Sequence, residues 1–137
     1  MDKDEIIKLV EDIKSKHDGV SVIDIIECYG FEIGYTDLKR EVYPAYTMNS
    51  FKGVPRIVLN NNYNNKSQNI LAAHELGHAI LHKDNCYNGF GDERDAIKEY
   101  EANRFAVALL FNEADINTKF NKMSNYELKY LLDYNIE

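Results

Sequence analysis

Near the start of the chain, apolar residues fall at Ile6, Leu9, Val10 and Ile13, with charged residues between them. That is the spacing of one helix face, and it predicts a helix from Asp2 to about Ser15, broken by His17-Asp18-Gly19. A second helix is expected from about Ser21, a serine suited to the N-cap, to Tyr29, with Gly30 just past its end. The pattern then changes. Phe31 to Tyr35, Tyr43 to Phe51 and Arg56 to Leu59 are short runs rich in Tyr, Val, Ile and Thr, and they read as strands. Lys52-Gly53 suggests a hairpin turn between the last two.

Helical spacing returns after a polar loop from Asn60 to Asn65. A third helix is predicted from about Ser67 to Leu81 and, beyond a loop holding Gly89 and Gly91, a fourth from about Asp95 to Phe111. In the fourth, Ala102, Phe105, Ala106, Leu109 and Leu110 follow the i, i+3, i+4, i+7, i+8 pattern. A last helix starts near Ser124, where Ser124 and Glu127 suit a capping box. The order gives an α+β fold, a small, mostly antiparallel sheet packed on helices, in one domain over residues 1–137.

Composition narrows the function. There are 16 basic and 23 acidic residues, a net charge of -7, so a phosphate backbone is repelled and direct nucleic-acid binding is not expected. The two cysteines, Cys28 and Cys86, lie far apart and form no metal-type pair, which favours a reducing compartment. The charged N-terminus and the lack of a long apolar run predict no signal peptide, no membrane span and a cytoplasmic location.

The chemistry lies in the third helix, at His74-Glu75-Leu76-Gly77-His78. Residues i and i+4 of a helix differ by about 40° and about 6 Å of rise, so two imidazoles there converge on one ion. Glu75 falls beside such an ion, where a carboxylate acts as base toward water that the metal acidifies. The plain alternative is two histidines that happen to share a helix face. The flanking Ala72, Ala73, Leu76, Ala79 and Ile80 make the helix apolar, and buried imidazoles need partners. His82 lies about 12 Å along the axis from His74, too far to share the ion, and suits a capping or supporting role near the helix end.

A catalytic zinc site uses three protein ligands, so one more is required. Ile97, Glu101, Phe105 and Leu109 form an i/i+4 row that is apolar except for Glu101, whereas the row Asp95, Glu99, Asn103, Val107 is mostly polar. An acid in an apolar row needs a compensating charge, which singles out Glu101 as the third ligand. The competing role for Glu101 is a surface pair with Lys98 or Arg104. Two histidines and a glutamate favour zinc, with manganese as the other option. Tyr43, Tyr46 and Tyr100 are candidate oxyanion donors.

The stretch Ala72-Ala73-His74-Glu75-Leu76-Gly77-His78-Ala79-Ile80-Leu81-His82, then Glu101-Ala102-Asn103-Arg104-Phe105-Ala106 and Leu109-Leu110, resembles the ImmA/IrrE family of metallopeptidases over roughly residues 20 to 112. The resemblance implies a zincin-like fold, His74, His78 and Glu101 as ligands, and Glu75 as catalytic acid/base. It also implies a partner. Such proteins, many encoded by phages or mobile elements, act as anti-repressors that cleave a helix-turn-helix repressor. Phe111-Asn112 stands where members often carry Met-Pro, a change that touches recognition rather than metal chemistry. Two other readings are a non-catalytic anti-repressor with a structural zinc, and a component of a toxin–antitoxin pair.

Overall fold

The computed structural model describes residues 1–39, 44–82 and 93–137. Tyr43, Cys86, Gly89 and Gly91 lie outside the described residues. Helix α1 (Lys3–Lys16) opens on an Asp2–Glu5 capping box. Helix α2 (Val22–Cys28) is capped by Ser21, and Gly30 follows it with φ of 76°, the left-handed conformation expected after a helix end.

Strands β1 (Glu32–Thr36), β2 (Ala45–Asn49) and β3 (Pro55–Asn60) form a single sheet in the order β1-β3-β2. The sheet is mixed rather than mostly antiparallel: β2 and β3 are an antiparallel hairpin, but β1 runs parallel to β3. β3 takes the centre because Ile57, Val58 and Leu59 are an unbroken apolar run, suited to a strand covered on both faces. The more polar β1 and β2 are left at the edges.

Helix α3 (Asn65–Leu81), capped by Asn64, crosses the sheet against β3 and β2. Helix α4 (Glu93–Leu110) packs on α3, and also on α1 and on α6 (Asn125–Tyr134). α6 begins with the expected Ser124–Glu127 capping box. The short α5 (Glu113–Ile116) and a 3-10 turn at Phe120–Lys122 have no counterpart in the periodicity, being too short to show one. The turn is held from α4. Arg104, 2% exposed, donates to the carbonyls of Phe120 and Met123, and its guanidinium lies 4.4 Å over the Tyr100 ring. No helix among the described residues is long and apolar enough to cross a membrane.

Gly77 sets the spacing of the two central helices. A Cβ there would lie 3.1 Å from both Cβ and Cδ1 of Phe105, which is fully buried. Phe105 Cβ is fixed to the α4 backbone, so a side chain at position 77 must push the helix itself. Gly77→Val should lower stability by about 2 kcal/mol, overpacking outweighing the gain in helix propensity. Urea denaturation of the variant checks this; unchanged stability would mean that the close approach is not needed.

Candidate metal centre

His74 and His78 project from the same side of α3, and their Nε2 atoms are 3.2 Å apart. Together with Glu75 they form a His-Glu-His group whose donor atoms lie within 4.8 Å of one another. Glu75 does not close a ligand set, however. Its Oε1 accepts a 2.8 Å hydrogen bond from the hydroxyl of Thr47 on β2, and its Oε2 stands 3.9 Å from His74 Nε2. Glu75 is 4% exposed and Thr47 1% exposed, so this carboxylate is held in place rather than free to swing.

The carboxylate that reaches the pair comes from α4, and it is Glu99. Its Oε2 is 3.0 Å from His74 Nε2, and its Oε1 is 2.8 Å from His78 Nε2. Glu101, the expected third ligand, stands elsewhere: its Oε1 accepts from His82 Nε2 at 2.9 Å. The expectation for Glu101 rested on a single apolar side of α4, which the structure does not show. From Ala102 to Ala108 no residue is more than 5% exposed, while Ile97, in the supposed core row with Glu101, is 66% exposed. Both rows reach α3: Glu99 and Asn103 meet His74 and His78, while Glu101 and Phe105 of the other row meet His82 at the helix C-cap and Gly77.

The ring nitrogens have outer partners. Asn103 hydrogen-bonds the His74 ring and donates its own amide to Asn125 Oδ1 at 2.9 Å. His78 Nδ1 lies 3.0 Å from His82 Nδ1. Tyr100, a candidate oxyanion donor, instead gives its hydroxyl to the Met123 carbonyl at 3.0 Å and belongs to the scaffold. Tyr46 lies on β2, the edge strand that carries Thr47.

The protonation of the site follows from these contacts. Burial pushes Glu99 up, but the hydrogen bonds and charges of His74 and His78 prevail and hold it well below its ordinary range. Burial lowers His74, yet the bond to Glu99 and the charges of Glu75 and Glu99 outweigh it and raise the ring above its ordinary 6.5. For His82 burial wins over the bond to Glu101, and the ring is pushed down. His74 must shed a proton to ligate a metal. Metal affinity is therefore full above the raised value and lost as pH falls through it, by about tenfold per unit for that proton. Zinc competition with a chromophoric chelator from pH 8 to pH 6 should show the loss starting above 6.5; affinity flat down to pH 6 would contradict the raised value.

The donor set fits a divalent metal. Tetrahedral zinc with bonds of about 2.0–2.1 Å needs donors about 3.3 Å apart; the two Nε2 atoms are 3.2 Å apart, and each has its own Glu99 oxygen close by, Oε2 3.0 Å from His74 and Oε1 2.8 Å from His78. Sequence reasoning weighed Glu99 and set it aside, and it singled out neither Asn103 nor Thr47. The i/i+4 spacing of Glu99 and Asn103 was the available signal for the first two. For Thr47 there was no signal, since strand alternation sets it on the face opposite the larger apolar side chains of Tyr46 and Met48.

The model of the peptidase family described as IrrE N-terminal-like domain matches residues 26–135. No curated protein and no solved structure matches the chain.

Proposed function

Because the chain belongs to the IrrE N-terminal-like domain family of peptidases, we propose that it is a zinc-dependent endopeptidase whose metal is held by His74, His78 and Glu99. The observation that carries this reading is the unequal treatment of the two carboxylates. Glu99 lies within 3.0 Å of both Nε2 atoms, as a ligand should, while Glu75 is tied through one oxygen to Thr47 and turns the other toward the pair. A site built only to bind zinc has no use for a second, pre-positioned acid.

Zinc bound there supplies Lewis acidity, polarising a peptide carbonyl and acidifying water. Glu75 Oε2 takes the proton from water as the oxygen attacks the carbonyl carbon, and then delivers it to the departing amine nitrogen. Thr47 keeps Oε1 occupied and so fixes which oxygen does this. β2 is an edge strand beside the site, and an extended substrate segment adds to it by backbone hydrogen bonds.

The substrate we propose is a helix-turn-helix repressor, cleaved so that repression ends; the resemblance in the two motifs supports this class. The test is incubation of the zinc-loaded protein with a helix-turn-helix repressor from the same genome, a neighbouring gene's product first. Two defined fragments from wild type and none after EDTA treatment are expected. An intact repressor that nevertheless leaves its operator would favour the binding-only anti-repressor.

A further inference from the structure

His82 and Glu101 are left over once the three ligands and the base are assigned, yet they are joined to the centre. A chain of contacts runs from Glu101 Oε1 to His82 Nε2 at 2.9 Å, and from His82 Nδ1 to His78 Nδ1 at 3.0 Å. The His82 side chain is 7% exposed and that of Glu101 24%. We infer that Glu101 and His82 are positioning residues that fix His78 as a ligand through its Nε2, by dictating where its ring carries the proton.

An ionised carboxylate only accepts, so His82 Nε2 carries the proton in its bond to Glu101. A neutral His82 then has a bare Nδ1 that only accepts. His78 Nδ1 must donate to it, and the one position left for a lone pair on a neutral His78 is Nε2, the atom 3.2 Å from His74 Nε2 and 2.8 Å from Glu99. With a metal taking up the lone pair that His78 Nε2 would otherwise turn on Glu99, the opposite chain fails at both ends. If His82 donated through Nδ1, its bare Nε2 would face a carboxylate, and a neutral His78 would present an N–H where a ligand is needed. Any proton on Nε2 in the metal-free protein makes His78 a cation, which zinc neutralises by displacing it. Metal-binding histidines are commonly oriented by an outer carboxylate; here a second imidazole stands between.

This inference rests on the proposed metal centre, and two measurements separate their fates. The first is zinc affinity by chelator competition. Glu101→Ala should bind zinc roughly 10- to 100-fold more weakly, the cost of losing an outer partner. Glu101→Gln keeps an acceptor oxygen and should recover most of that loss. Equal affinity in wild type and Glu101→Ala, or a loss that Glu101→Gln does not recover, overturns the relay.

The second is the tautomer of His82, read from long-range proton–nitrogen correlations in the folded wild-type protein, zinc-loaded if it takes zinc and otherwise as purified. A proton on Nε2 and none on Nδ1 is expected, and a proton on Nδ1 overturns the relay. A wild type that binds no zinc defeats the metal centre, and the tautomer still decides the direction of the chain.

Discussion

Glu75→Gln should take up one zinc as wild type does and lose nearly all peptidase activity. The change removes one negative charge and keeps the shape. Gln retains an oxygen to accept from Thr47, which lies 2.8 Å from Glu75 Oε1, so the side chain has a reason to stay where it is. What it loses is a basic oxygen facing the histidine pair. General acid–base catalysis contributes roughly 10²–10⁴-fold, so turnover should fall by about that factor, equivalent to about 3–5 kcal/mol of barrier. Zinc content should hold, because the donors proposed for the metal are His74, His78 and Glu99. The measurement is repressor cleavage on a gel beside zinc content by elemental analysis. A variant that still relieves repression with the repressor intact would favour the binding-only reading.

Glu99→Ala should lose the metal. It removes the carboxylate that closes the donor triangle, so affinity should fall by more than the roughly 100-fold upper limit for an outer partner. It also strips His74 of the group that does most to raise it against burial, and leaves a part-buried His74 facing a buried His78. The contrast with Glu101 makes the test sharp. If Glu101→Ala empties the site and Glu99→Ala does not, the assignment is reversed and Glu101 swings inward when metal binds.

These two acids also mark how far the sequence can be read. The existence and order of the longer helices were legible, because α1 and α4 announce themselves by apolar spacing, α2 by the cap at Ser21 with Gly30 past its end, and α6 by the Ser124–Glu127 capping box. His74, Glu75 and His78 were legible because the i/i+4 geometry of a helix brings them together without help from the rest of the fold. The third donor comes from another element, and its identity depends on how α4 is rotated against α3. Apolar periodicity reports that rotation for a surface helix with one buried side. It says little for α4, whose residues 102–108 are buried in every direction. The strand sequences likewise disclose which segments are extended but not that β1 runs parallel to β3, since register and direction are set by contacts distant in sequence. Thr47 is the same lesson on a smaller scale: an inward threonine in β2 makes sense only once Glu75 is known to need a donor.

The most direct test is a crystal of the zinc-loaded protein measured at the zinc absorption edge. One strong anomalous peak is expected within bonding distance of His74 Nε2, His78 Nε2 and a Glu99 oxygen, with Glu101 still against His82. A peak coordinated by Glu101 in place of Glu99, or none from protein purified without chelators and soaked in zinc, would contradict the proposed centre.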